Sequence, residues 1–348
     1  MKNILDNLYT KGKINYFYWR KEYHSKVPVK INVKLKMWQK GFLSESFHIY
    51  DLSSKDSAAY LSDKQRLKSN YINGKYAFVL NNKIIFEQMY KDLLSIPETL
   101  ALVNKGRIIS RNKKVKDVTT LVQYIKEKGN VVIKPISGGG GFGVRIVKFQ
   151  DGQLYSNNEL ITQEQLANDL SKMDEYFISD FIQQGNFSSS LNPGTLNSMR
   201  IVTAIDPDTN EAFIPIAVQR IGTKKSAPAD NWTQGGISAE IDVSTGAMKK
   251  GASYPSDGNL VWHQSHPDTG AQIEGISIPK WEEIKDMIIN TANAHPYIKY
   301  IGWDVVSTDD GIMVIEANNC TDVNLLQIHR PLLKDKRLKR FYEYYNVI

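Results

Sequence analysis

The 348-residue chain has a single cysteine, Cys320, which excludes an internal disulfide and a cysteine-based zinc cluster. No apolar run approaches the roughly 18 residues a spanning helix needs, and no N-terminal apolar stretch ends in a cleavage site. The expected location is therefore cytoplasmic. Internal repeats and low-complexity tracts are missing as well. An apolar fraction of 41% and a charged fraction of 23% exclude wholesale disorder. At roughly 100–200 residues per domain, the length suggests two domains or one composite unit.

Net positive charge is confined to one segment. Residues 1–40 hold ten Lys and Arg against Asp6 and Glu22, a net of +8, while the other 308 residues hold 34 basic against 35 acidic. From Ile4 to Phe42 the basic residues alternate with Tyr16, Phe17, Tyr18, Trp19, Tyr23 and Trp38. Such a stretch suits an anionic membrane face, with the protein peripheral at the inner surface; it also suits an acidic glycan, polysaccharide-synthesis proteins, or a helical region with a solvated basic face. No nucleic-acid motif accompanies the charge, so no nucleic acid is expected.

Asn82 is placed to cap a helix carrying Ile84, Ile85, Met89, Leu93 and Leu94 at helical spacing, which must end before Pro97. Short strands are expected around Lys105-Gly106, and a helix over 117–128 ending at Gly129. Val131–Lys134 and Val144–Val147 read as strands on either side of the loop Ser137–Gly143. Further strands are expected at Tyr176–Ile182 and Arg200–Ile205, a long Gly-rich loop over 222–240, and helices at Gln163–Met173 and 280–294. Ile301–Val306 and Gly311–Glu316 read as a hairpin turning at Asp309-Asp310.

Gly138-Gly139-Gly140-Gly141-Phe142-Gly143 fits G-x-G-x-x-G in form. A dinucleotide fold needs a helix to begin at such a loop, yet strand periodicity follows it. A Walker A loop would end in G-K-[ST], and a kinase would place its lysine after the loop, with H-R-D and D-F-G further on; none of these is present. What remains is a hairpin loop with Lys134 on the strand before it. Its glycines let backbone N–H groups approach oxyanions, and the lysine neutralises phosphate charge. Asp304, Glu316 and Asn318 are placed to share a face of the C-terminal hairpin, offering two carboxylates and an amide oxygen suited to Mg²⁺. Cys320 reads as a small buried residue, His263 and His266 as loop residues with a role limited to acceptor contact, and Trp262, Trp281 and Trp303 as core.

A lysine before a glycine lid, followed by D-x(11)-E-x-N, resembles the ATP-grasp superfamily. The string Leu191–Thr203, Asp230-Asn231-Trp232, Gly235-Gly236-Ile237 and Ile278-Pro279-Lys280-Trp281 resemble its sugar-transfer-associated branch, tied to surface-polysaccharide synthesis. The resemblance implies an α+β ATP-grasp fold with a mainly helical basic extension at 1–80, a nucleotide-lid subdomain at 81–182, and a metal and acceptor subdomain at 183–348. It implies ATP and Mg²⁺, two ions, as cofactors. Lys83, Lys134 and Gly138, Gly139, Gly140, Gly141 and Gly143 would hold phosphates, and Asp180, Phe181 and Ile182 the adenine. Asp304, Glu316 and Asn318 would hold the metal. Asn197, Asp230, Asn231, Gly235 and Gly236 would meet the acceptor. The usual acidic ribose residue is absent from the stretch holding Gln183, Gln184 and Asn186, so the ribose contact stays unassigned.

The expected activity is an ATP-dependent carboxylate–amine ligase working through an acyl phosphate, with Lys134, Arg200 and Arg220 as catalytic cations. Its substrates would be an amino acid and a uronic acid or similar carboxylate on a glycan precursor. A phosphotransferase acting on a sugar hydroxyl, and a nucleotide-binding accessory without turnover, are the alternatives.

Overall fold

The computed structural model describes residues 2–319 and 321–348, with side chains from Leu8 onward; Cys320 lies outside the described residues. The chain forms two compact units. The first comprises residues 1–77, 184–312 and 317–348; the second comprises 78–183 and 313–316.

The first unit begins with helices α1 (Lys2–His24), α2 (Ile31–Gln39), α3 (Ser46–Ile49) and α4 (Asp63–Ser69). Ile14 and Tyr18 of α1 pack on Leu43 and Leu67, and the Tyr18 hydroxyl donates to the Phe42 carbonyl at 2.5 Å. This helical segment is not a loose appendage. Met37, Ile49, Tyr50 and Leu61 share one core with Val202, Ile216, Tyr300 and Phe341. Buried amides extend the join: Leu61 N–H donates to Gln327 Oε1 at 2.7 Å, and Tyr50 Oη to Asn324 Oδ1 at 2.7 Å. Among the described residues no helix is long and apolar enough to cross a membrane.

Helix α5 (Ala77–Asn81) leads to α6 (Lys83–Tyr90), where Asn82 Oδ1 accepts the Ile84 and Ile85 N–H groups as an N-cap. The helix ends at Tyr90, short of Leu93 and Leu94, which lie in the following turn. Then come β1 (Thr99–Asn104), β2 (Arg107–Ser110), α7 (Val118–Lys128), β3 (Asn130–Pro135), β4 (Arg145–Gln150), β5 (Gln153–Ser156), β6 (Glu159–Ile161), α8 (Gln163–Ser171) and β7 (Tyr176–Asp180). Capping boxes start α7 (Asp117 with Thr120) and α8 (Thr162 with Gln165), and Gly129 at φ +91 stops α7. The strands form one sheet ordered β2-β1-β7-β3-β4-β5-β6, with Leu100, Val131, Ile133 and Ile178 packed under Leu121, Ile125 and Leu166.

The first unit resumes with α9 (Asn186–Leu191), β8 (Met199–Ile205), β9 (Ala212–Ile221), β10 (Ile237–Ile241), β11 (Met248–Ser253), β12 (Trp262–His263), α10 (Trp281–Ala294) and β13 (Tyr300–Thr308); in β14 (Gly311–Asn318), which follows, residues 313–316 belong to the second unit. The second sheet is ordered β12-β11-β10-β9-β8-β13-β14. Helices α11 (Asn324–Gln327) and α12 (Lys336–Tyr344) close the chain. The expected loop over 222–240 is shorter than read, because Ile237–Ile241 pairs with both β9 and β11. Trp281 and Trp303 are core residues, whereas Trp262 is 42% exposed on the last short strand of its edge.

Candidate functional site

In the second unit, Lys134 stands near the end of β3, with Phe177 of β7 as its register partner. Its Nζ lies 5.2 Å from the Phe177 ring centroid, and the residue is only 8% exposed. Burial, with Lys83 as a second cation nearby, pulls the Lys134 ammonium down from 10.5 to about 8, against the opposing pull of Glu316.

Lys83 opens α6 where the chain crosses the root of the glycine loop. Asn82 bridges Ser137, Lys83 N–H donates to Ile136 O at 3.0 Å, and Lys83 Nζ donates to Gly138 O at 2.7 Å. The same Nζ lies 3.6 Å from Glu316 Oε2. Two ammonium groups thus share one carboxylate, leaving a local excess of one positive charge beside the loop. Gly138, Gly140, Gly141 and Gly143 all have positive φ, and a Cβ at Gly138, Gly139 or Gly141 would meet nothing within 4 Å. At Gly138, Gly139 and Gly141 the loop is thus open on its Cβ side, as a phosphate cradle requires, whereas a Cβ at Gly143 would lie 2.6 Å from the Tyr176 hydroxyl.

Asp180 ends β7. Its N–H donates to Glu98 O at 3.0 Å, and its carboxylate accepts the Tyr124 hydroxyl at 2.6 Å. Burial, reinforced by that carboxylate, pushes the Tyr124 phenol well above its ordinary range. Phe181 and Ile182 follow the strand, outside its ladder, and Ile182 is buried.

In the first unit, Arg200 of β8 pairs directly with Asp304 of β13. Arg200 Nε donates to Oδ1 at 2.5 Å and Nη2 to Oδ2 at 3.1 Å, a two-pronged contact between buried side chains. Arg220 of β9 reaches Asp304 Oδ2 and Asp230 Oδ1, each at 3.4 Å, and donates to Ser198 Oγ. Asp230 accepts the Ser198 N–H at 2.8 Å and its hydroxyl at 2.6 Å. Burial alone would raise the Asp304 carboxyl; Arg200 and Arg220 overcome it and hold the group below the usual carboxylate range. Asn318 turns its amide nitrogen to Gly302 O and Asp304 Oδ2, at 3.3 and 3.4 Å, leaving its carbonyl oxygen as donor to a cation.

Over residues 62–341 the sequence matches the family described as sugar-transfer associated ATP-grasp. The chain belongs to this family. Its fold is the α+β ATP-grasp fold with an N-terminal helical region. No curated protein matches the sequence. Similar solved structures include a RiPP-associated ATP-grasp ligase of Chryseobacterium gregarium in complex with ADP and a leader and core peptide, with 12% identity, TM-score 0.42, and 84% of this chain and 71% of that chain covered. D-alanine–D-alanine ligase from Helicobacter pylori gives 12% identity and TM-score 0.40, over 76% of this chain and 61% of that chain. ATP-grasp ligase PsnB, complexed with a phosphomimetic variant of its minimal precursor, Mg and ADP, gives 14% identity and TM-score 0.37 over 72% of this chain. The chain spans about half of that PsnB chain, 53%.

In this ATP-grasp chain the residues read as phosphate-binding, Lys83, Lys134 and Gly138, lie together with Glu316. Arg200, Arg220, Asp230, Asp304 and Asn318 form a second group. Asn197 stands apart from the acceptor role: it is 1% exposed, and its amide nitrogen serves Ser188 O, Asn192 O and Gln184 Oε1 while its oxygen takes Thr195 Oγ1 and Gly222 N–H. It shapes the loop before β8. Asn231 caps a short 3₁₀ turn, and Gly235 and Gly236 let the Asp230 loop fold onto itself; a Cβ at Gly236 would come within 2.6 Å of Asp230 O. His266 is likewise spent: Nε2 contacts Gly222 O at 2.8 Å and Nδ1 accepts two backbone N–H groups.

Donor by donor, Mg²⁺ finds a partial fit. In the second unit Glu316, with its side chain 21% exposed, offers a carboxylate oxygen, and in the first unit Asn318 offers its carbonyl oxygen, both hard donors of the kind Mg²⁺ takes. Asp304 has both oxygens engaged by guanidinium groups, so its use as a ligand requires an exchange of partners. Among the described residues no three His, Cys, Asp or Glu gather into a metal cage.

Three neighbours of the candidate residues escaped the sequence. Ser198 lies inside the Leu191–Thr203 string, but its link to Arg220 and Asp230 needs three-dimensional placement. Phe177 beneath Lys134 and Tyr124 against Asp180 depend on strand register and helix packing, which no local pattern encodes.

Proposed function

We propose that the chain is an ATP-dependent ligase joining an amine to a carboxylate, specifically an amino acid to a uronic acid of a surface polysaccharide or its precursor. The observation that carries the nucleotide half is the cluster of Lys83, Lys134 and Glu316 beside an open glycine loop. A polyphosphate entering this cluster supplies the negative charge that two close lysines lack. Phe181 and Ile182 present backbone groups to adenine. Glu316 and Asn318 would hold Mg²⁺, which supplies charge neutralisation to the phosphates.

A substrate carboxylate oxygen attacks the γ-phosphorus, the bond to the β-phosphate oxygen breaks, and ADP leaves behind an acyl phosphate. The amine nitrogen then attacks the acyl carbon, and the tetrahedral intermediate expels inorganic phosphate while the nitrogen loses a proton to solvent. Negative charge builds first on the transferring phosphoryl oxygens and then on the carbonyl oxygen. Lys134 and the loop N–H groups serve the first stage. Arg200 and Arg220, oriented by Asp304 and Asp230, offer planar donors to the acyl group in the second.

The test is phosphate release from ATP by the full chain, crossing uronic acids and nucleotide sugars with the twenty amino acids, with product masses read in parallel. Release that needs both a carboxylate and an amine, with an amide in the product, is the expected result. A phosphorylated sugar, or no release with any pair, rejects the ligase reading. Glu316→Gln is expected to raise the Mg²⁺ concentration for half-maximal rate by about tenfold or more, a typical effect of weakening a metal site. An unchanged Mg²⁺ requirement removes Glu316 from that role.

A further inference from the structure

Helix α1 is built on two opposed stripes. Ile14, Tyr18 and Glu22, four residues apart, face inward and are buried. Tyr9, Tyr16 and Tyr23, seven residues apart, lie on the far side and are 65%, 62% and 86% exposed. A seven-residue step drifts only about 20° around the helix, so the three phenols form one outward row. Lys13 and Arg20 run along one edge of this row, and Trp19 along the other.

Helix α2 extends the apolar surface. Trp19 meets Trp38 edge to face, with ring centroids 5.2 Å apart. Ile31 and Leu35, one turn apart, share the Trp38 side of α2 and are both exposed.

The charge on this surface is of one sign. Residues 8–40 contain nine Lys and Arg, and the only carboxylates between 8 and 50 are Glu22 and Glu45. Both are buried and bonded inward: Glu22 to the Ser44 N–H and hydroxyl, Glu45 to the Ser25 and Tyr254 hydroxyls. Among the described residues none of those nine cations forms a salt bridge; Lys13 instead lies over the Tyr9 ring at 4.5 Å.

We propose that the outward faces of α1 and α2 dock the protein on an anionic lipid bilayer. The Lys and Arg side chains meet lipid phosphates, and the tyrosine and tryptophan rings sit at headgroup depth. Exposed Leu8, Ile31 and Leu35 select this occupant over a soluble polyanion: aliphatic side chains gain nothing from phosphate in solution, but gain by leaving water at a bilayer surface. This surface shares no residue with the Lys83–Lys134–Glu316 cluster, so its failure leaves the ligase reading standing.

The experiment is co-sedimentation of the full chain with vesicles of phosphatidylcholine alone and of phosphatidylcholine with about 30% phosphatidylglycerol, a fraction chosen to give a strongly negative surface. Partition into the anionic vesicles only, falling about tenfold or more between low and high salt, is expected. Y16S/W19S/Y23S and K13E/R20E should each weaken partition about tenfold or more while ADP binding stays unchanged, since every altered side chain is exposed and remote in sequence from the lid. Absence of binding to anionic vesicles overturns the proposal, as does equal binding by wild type and both variants. So does a stable dimer that only the ring variant dissociates, because the face would then be covered by a second copy. Binding to a soluble acidic oligosaccharide with no vesicle partition overturns it equally.

Discussion

Lys134→Met is expected to cut ATP turnover about 10³-fold while raising the melting temperature at pH 7. The first effect follows from the proposed function, in which Lys134 is a fixed cation where phosphoryl charge develops. The second follows from burial. In the folded protein the ammonium has its pKa lowered to about 8 from an ordinary 10.5, so folding places a charge where charge is disfavoured. Below pH 8 both folded and unfolded chains carry the proton, and the cost is fully present. Between 8 and 10.5 the unfolded chain holds a proton that the folded chain has released, so the stability of the wild type rises with pH. The gap corresponds to on the order of 3 kcal/mol. Methionine keeps the buried stem without the charge, so its advantage should be greatest near pH 7 and vanish above pH 10.5. Calorimetry of both proteins across that range tests the account; a methionine variant that melts lower at pH 7 refutes it. Nucleotide affinity of the wild type should correspondingly weaken as pH rises past 8.

Asp304→Asn is expected to destabilise the fold by about 3–5 kcal/mol, the usual result of stripping one partner from a buried ion pair. The loss is large because Asp304 serves two guanidinium groups, Arg200 and Arg220, both away from solvent. Replacing Arg200 and Asp304 together by Met and Leu should recover much of it, since a buried pair often contributes little net stability over well-packed apolar residues. The sign with pH is opposite to that of Lys134. Asp304 titrates below its ordinary value, so its contribution is complete above about pH 4 and disappears as pH falls through the depressed pKa. Denaturant melts at pH 7 and in acid decide the matter; a loss under about 1 kcal/mol at pH 7 would mean that the guanidinium groups find other partners.

Local chemistry was legible in the sequence. Asn82 as a cap, Lys134 before a glycine loop, and a C-terminal hairpin carrying Asp304 and Glu316 each rest on residues a few positions apart. What stayed hidden depends on distance or on full burial. Strand β9 is buried along nearly its whole length and runs apolar from Ala212 to Val218, so the polar–apolar alternation that betrays a half-exposed strand is missing. Pro215 within β9 further disguised it as a non-strand. The partnership of Arg200 and Asp304 spans 104 positions and is set by the pairing of β8 with β13, and pleat parity alone gives no register. Asn197 and His266 looked like contact residues because polar side chains in loops commonly are; here each is consumed in holding loop backbone.

The double tie of Lys83 to Ile136 and Gly138 anchors the base of the glycine hairpin to a helix start. Beyond that tie the loop runs for only five residues, Gly139 to Gly143, with Phe142 as its single bulky member. A loop that short has few torsions to freeze when a ligand orders it. On the ligase reading proposed above, triphosphate capture then costs little ordering of the chain, because the tether at Lys83 has already fixed the loop's root.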